Sequence, residues 1–330
     1  MIVQGFKPVT GVHSESTTCR NLLAFIGLEL SEPLVFGLGA GVGFTYLERV
    51  DRKTGLREPM VFGRISPGRI AQNLASSLRL KLVVEETVNR VKAWENLLRR
   101  LDSNKLYGLK LDMYYLDYLE RRVHFNAHYV TACGYDEQFL YVVDVGTPEI
   151  RKTSLRGIEQ GRAAKGFLSS RNLGFYFLEG EASSLEAAIL VAIQKAASQM
   201  LRAESGTDGV KGMMRFAERL RTWKKHPNNK YMFWNHYIMW EKAGTGGGGF
   251  RRLYSEFLRE ASAILNKRTL LEAADEYEGI ASDWTEISGL IRALCDEPSM
   301  DDLMGEISKK IRKQARLEEE VFKSLLKAIT

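Results

Sequence analysis

A hydroxyl, an imidazole and a carboxylate stand out in this chain as a set that could do nucleophilic chemistry: Ser14, His128 and Asp144. The segment HSESTTCRNLLAFIG places polar residues directly before an apolar pattern at Cys19, Leu22, Leu23 and Ile26. That is the i, i+3, i+4, i+7 face of a helix closed by Gly27. Ser14 would sit at the helix start, where backbone N–H groups and the positive end of the dipole converge. Such a place favours an anion on a nucleophile or on a substrate oxygen. Cys19 falls on the apolar stripe, and a thiol packed in a core is usually inert, which argues against it as the nucleophile. A nucleophile of this kind needs a base, and the base needs a group that fixes its tautomer and stabilises its charged form. The bland reading of Ser14 is that it only caps the helix.

The elements that would bring these residues together are short. Residues 109–113, 129–133 and 139–143 are apolar runs, partly β-branched or aromatic, bounded by Gly, Asp and Asn, and they read as core strands. Gly134, Tyr135, Asp136 and Glu137 form a turn-like link, so HYVTACGYD and FLYVVD predict an antiparallel hairpin. His128 opens its first strand and Asp144 closes its second, which allows imidazole and carboxylate to lie side by side. Nucleophile on a helix, then His and Asp on a hairpin, is the papain-like order.

The chain resembles the butirosin biosynthesis protein H family. The segments that carry the likeness are GVHSESTTCRNLLAFIGLELSEPLVFGLGAGVGFTYLE at 11–48, GR at 63–64, LKLDMYYLDYL at 109–119, HFNAHYVTACGYDEQFLYVVD at 124–144 and GTGGGGFRRLYSEFLREA at 244–261. The resemblance implies an α+β fold, with a papain-like (cysteine-peptidase-like) N-terminal domain followed by an all-helical C-terminal domain that covers or shapes the cleft. It also implies a nucleophilic cysteine directly after the histidine matched by His13, where this chain has Ser14. Serine has a far higher pKa than cysteine, so a base and dipole suited to a thiolate would activate it poorly. Three explanations follow: a working serine, a variant that binds without turnover, or a cysteine replaced to trap a complex. The implied activity is acyltransferase: an aminoacyl or peptidyl group passes from an acyl carrier protein thioester to a small-molecule amine acceptor in natural-product biosynthesis, with Ser14 attacking, His128 moving the proton and Asp144 orienting His128. An amidase or peptidase of the same fold, and a catalytically weakened binding protein, are the alternatives.

Other residues take secondary places in this expectation. Gly39 and Gly41 in GLGAGVGF would, by the resemblance, form a loop near the cleft. A dinucleotide site is rejected, because the last glycine of GxGxxG is replaced by Val42 and no acidic residue lies about twenty residues on. His13 could line the cleft, Arg64 could meet a carboxylate or phosphate, and Asp112 with Tyr114 could line a substrate pocket. A strand end packed by aromatic rings is the competing view of the last pair. His124 and His128 have i, i+4 spacing, but on a strand and with no Glu after His124 they make no zinc motif; His124 reads as structural. No metal or cofactor is called for.

The helical pattern becomes continuous after residue 183, so domains are expected at 1–182 and 183–330. The run GTGGGG at 244–249 reads as a flexible linker, or as an anion-receptive helix start. Trp223, Trp234 and Trp240 read as helical core. With 330 residues, 45% hydrophobic content and a net charge of +6, the chain can build real cores and could meet an acidic partner. Its Lys and Arg are interleaved with 41 acidic residues and show no basic stripe with stacking aromatics, which excludes nucleic acid. Three widely spaced cysteines give no disulfide framework. The absence of long apolar runs and of a signal-peptide pattern points away from the membrane and towards the cytoplasm. A homo-oligomer is compatible with all of this.

Overall fold

The computed structural model describes residues 1–330 apart from 51–53, 203–204, 298–299 and 330. Its residues fall into two compact units, Met1–Val35 with Pro67–Ser183, and Phe36–Ser66 with Ser184–Thr330. The fold is mixed α/β, with a sheet-bearing N-terminal region and a helical C-terminal region. No helix among the described residues is long and apolar enough to cross a membrane.

In chain order the elements are α1 (Ser14–Phe25), α2 (Glu32–Leu38), β1 (Val42–Val50), β2 (Arg57–Arg64), α3 (Arg69–Leu78), β3 (Leu82–Glu85), α4 (Arg90–Asp102), β4 (Tyr107–Leu111), β5 (His128–Tyr135), β6 (Phe139–Val143), β7 (Arg151–Ser154), α5 (Leu155–Ala163) and β8 (Gly174–Phe177). The helices α6 (Leu185–Leu201), α7 (Gly209–Arg219), α8 (Asn229–Tyr237), α9 (Arg251–Leu265), α10 (Arg268–Ala293) and α11 (Met300–Ile329) follow.

The first unit is built on a six-stranded antiparallel sheet in the order β3-β8-β4-β5-β6-β7. At its centre β4 is buried along its whole length and β5 along all but its last residue, so both faces of the sheet are covered there; α1 and α4 each pack on β5. The turn between β5 and β6 is organised by Asp136, whose Oδ1 accepts the N–H groups of Gln138 and Phe139 while its Oδ2 accepts the Tyr141 hydroxyl. A short carboxylate closing its own turn is the Asx chemistry the sequence offers at this place.

Residues 36–66, expected with the first domain, cluster instead with the helices. The reason is apolar: Phe36 stacks on Phe250 at 5.6 Å, Phe44 meets Phe216, Trp240 and Trp284, and Tyr46 stacks on Phe216. The hairpin β1–β2 and the end of α2 therefore complete a core whose other wall is made after residue 184. The second unit is consequently not all-helical. The GTGGGG run is packed rather than a flexible linker, and its Gly248 N–H donates to the Glu241 carboxylate at 3.2 Å. Gly248 and Gly249 are buried with positive φ, and a Cβ on Gly249 would lie 2.2 Å from the Trp240 ring. Trp223 and Trp240 are buried, whereas Trp234 is 43% exposed.

Candidate functional site

The helix that opens at Ser14 is capped by the residue before it. His13 has extended backbone angles (φ −112°, ψ 126°), and its Nδ1 accepts the N–H of Ser16 at 3.3 Å. Ser14 is thus the first helical residue, and the capping role that the sequence allowed it belongs to His13. Half-buried Ser14 has no hydrogen-bond partner for its hydroxyl or its N–H among the described residues.

Beneath this helix start lies a carboxylate that sequence inspection did not single out. Glu32, 7% exposed, accepts the N–H of Val12 at 2.8 Å, the N–H of His13 at 2.9 Å and the Ser16 hydroxyl at 2.8 Å. Gly11 leaves the necessary room, since a Cβ there would stand 2.2 Å from Glu32 Oε2. A second acid, the fully buried Glu15, accepts the N–H of Ile70 at 3.1 Å and so caps α3, whose own N-cap, Gly68, has no side chain to offer. Two buried carboxylates from different elements fix the direction in which α1 leaves its loop.

The imidazole and carboxylate come from the hairpin. Thr131 of β5 pairs with Val143 of β6, so continuing the register sets Asp144 opposite Val130 on the face that carries His128 two residues earlier. That diagonal brings His128 Nε2 to 2.8 Å from Asp144 Oδ1 and 2.9 Å from Oδ2, with both residues about 95% buried. Asp144 accepts two further hydrogen bonds, from the Tyr118 hydroxyl at 2.8 Å and the Val145 N–H at 2.7 Å. Burial alone would push its carboxyl up. His128, Tyr118 and Val145 N–H more than offset this, and hold it below the usual carboxylate range. Tyr118, half-buried against Asp144, has its own hydroxyl raised, first by burial and then by the carboxylate.

Because Nε2 faces Asp144, the neutral ring keeps its proton there and presents a lone pair at Nδ1, for which no partner exists among the described residues. Gly146, in the turn that follows Asp144, donates its N–H to Gly11 O at 3.1 Å. The loop that leads into Ser14 is therefore tied to the end of the sheet where His128 stands, and α1 packs along β5 from there.

The remaining expected residues have other placements. Asp112 is buried with both oxygens committed: Oδ1 accepts the N–H groups of Tyr114 and Phe125, and Oδ2 pairs with His124 Nδ1 at 2.7 Å. Tyr114 stacks on His124 at 4.0 Å. Gly39, Gly41 and Arg64 belong to the other unit. Gly39 lies in the turn after α2, the Gly41 N–H donates to Phe36 O, and Arg64 Nε donates to Ile65 O. A Cβ on Gly41 would meet the Phe36 ring at 2.6 Å, so this glycine serves packing. All three cysteines are buried, Cys19 completely, and burial pushes the Cys133 thiol up to about 12. Tyr118 and Glu32 gave no signal in the sequence, because their partners lie 26 and 16 to 20 residues away and neither fits a local motif.

Comparison with known families gives two matches along the chain. Residues 13–145 match the family described as butirosin biosynthesis protein H, N-terminal, and residues 156–325 match a domain of unknown function, DUF4872. The N-terminal part of the chain, residues 13–145, belongs to the butirosin biosynthesis protein H family. The family match begins at the residue that caps α1 and ends at the residue after Asp144, so it spans every side chain of the Ser14, His128 and Asp144 set. Membership relates the chain to proteins of a biosynthetic pathway. No curated protein matches it.

Proposed function

We propose that the chain is an acyltransferase with a papain-like N-terminal domain, passing an aminoacyl or peptidyl group from an acyl carrier protein thioester to an amine. The observation that carries this reading is the half-satisfied His128, which is bonded to a buried Asp144 through Nε2 and open at Nδ1, on the sheet end to which the Ser14 loop is tied. Ser14 Oγ attacks the thioester carbonyl as its proton passes to His128 Nδ1. The N–H of Ser14 donates to the oxyanion, since those of Val12 and His13 are held by Glu32. The thiolate leaves with the proton from His128. The amine then attacks the Ser14 ester, His128 takes its proton, and that proton returns to Ser14 Oγ as the amide departs.

Ser14 in place of a cysteine also favours a second reading, a protein that keeps the cleft and binds acyl groups with little turnover. Incubation of the protein and of its Ser14→Cys variant with a panel of acyl thioesters and amines, followed by intact mass and product analysis, separates the two. An acyl adduct on the Ser14 protein that is passed to an amine supports a working serine. An adduct on the Cys variant alone supports the binding reading, and no adduct on either sinks acyl transfer.

A further inference from the structure

A second histidine–carboxylate pair stands at the same end of the sheet. Leu111, the last residue of β4, pairs with His128, and Asp112 follows at once. The Met113 N–H donates to Phe125 O, so the two chains stay adjacent past the strand ends, and His124 lies across from the Asp112 turn. His124 precedes His128 by four positions, so their Cα atoms are at most about 14 Å apart, within the span of one small substrate.

The chemistry of the pair is that of a held base. The Asp112 side chain is 3% exposed and its Oδ2 accepts from His124 Nδ1 at 2.7 Å, which fixes the tautomer and leaves the Nε2 lone pair pointing away. The His124 side chain is 62% exposed, yet its ring is clamped face to face on Tyr114 at 4.0 Å and 13°, with Tyr115 edge-on at 6.1 Å. The titratable groups around it are thus one buried carboxylate and two phenols. An ordinary surface histidine has no such mounting.

We infer that His124 is the acceptor-side base: it takes the proton from the ammonium form of the amine acceptor and gives it to solvent. The inference rests on the acyl-transfer reading and adds to it the state in which the acceptor arrives. An amine bound as R–NH3+ cannot attack. Loss of one proton to His124 Nε2 gives R–NH2 and a charged ring beside Asp112, and the exposed ring then releases that proton to water. His128 remains neutral and ready for the proton shed when the new C–N bond forms.

The test uses the intact protein, and its Ser14→Cys variant in parallel, with an acyl-N-acetylcysteamine thioester as donor and glycinamide as acceptor, whose α-amino group titrates near pH 8 (about 7.7–8.0). Adduct formation and transfer are followed separately by mass in wild type and His124→Gln, at pH 6.5 and pH 9.5. At pH 6.5, where only about 3–6% of the acceptor amine is neutral, the variant should transfer about 15–30-fold more slowly, while the adduct still forms. At pH 9.5, where the acceptor is already neutral, the deficit should vanish. A deficit that persists at pH 9.5 means a structural role and overturns the inference, as does no deficit at pH 6.5. Absence of adduct in every protein overturns the acyl-transfer reading and this one with it.

Discussion

Each unit of this molecule buries an acid–base pair, and the two are satisfied to different degrees. In the helical unit Arg251 and Glu318, both 0% exposed, form a two-pronged ion pair at 3.1 and 3.0 Å. Arg251 also donates to Gly63 O and Gly249 O, and Glu318 also accepts from Trp284 Nε1 and the Tyr277 hydroxyl. The charged faces that remain are covered by Trp240 and Trp284. In the sheet unit Asp144 is equally well served, but His128 keeps one ring nitrogen without a partner. A closed network can only hold structure together. A network left open at one basic atom has room to accept a proton.

That contrast can be broken most sharply at its open end. Asp144→Asn removes the charge that supports a protonated His128 while keeping the shape, and should lower acyl transfer by about 10²–10⁴-fold; steady-state product formation would show it, and an unchanged rate would remove His128 and Asp144 from the chemistry. At the closed end, Arg251→Leu strands a buried carboxylate and should cost about 3–5 kcal/mol in denaturant unfolding. Changing Arg251 and Glu318 together to apolar residues should cost much less, and if the double change is no better the pair is a net source of stability.

Tyr118→Phe tests the link between the two properties, since it deletes a hydrogen bond to a charged group and should remove about 1.5–3 kcal/mol of stability. Activity should fall only modestly, because the other bonds to Asp144 stay. The smallest effect is the pH dependence of stability. The Asp144 carboxyl is lowered in the folded state, so its contribution is fully present above the ordinary carboxylate value of about 3.9 and is lost as pH falls through the folded value. Acid titration below about pH 4 should therefore unfold the wild type more steeply than Asp144→Asn, and parallel curves would mean that Asp144 has no part in acid sensitivity.

The reach of sequence reasoning followed the range of the interactions. The α1 stripe, the Asp136 turn and the β5–β6 hairpin were legible because capping, periodicity and turn chemistry act within a few residues. The diagonal between His128 and Asp144 was legible for the same reason, being a property of one hairpin. Glu32, Glu15 and Tyr118 were not, because an isolated acid or phenol in an apolar run looks alike whether it faces water or a distant N–H. Nor was the partnership of residues 36–66, whose aromatic residues could have packed on the sheet as readily as on α7 and α9 by composition alone. The glycines at 244–249 misled for a related reason, since Trp240 and Ala281 fill the space that their missing side chains leave.

The placement of residues 36–66 with the later helices also sets an order of events during synthesis. The aromatic side chains of Phe36, Phe44 and Tyr46 leave the ribosome early, whereas Arg251 and Phe257, which meet Gly63 and Gly37, are made 188 and 220 residues after those glycines. At roughly 5–20 residues per second the interval is roughly 10–40 s. Throughout it a sticky hairpin must be carried while residues 67–183 assemble around it. A nascent chain of this kind is a natural client for a holding chaperone, and a fragment ending at residue 182 would keep that orphaned segment for good.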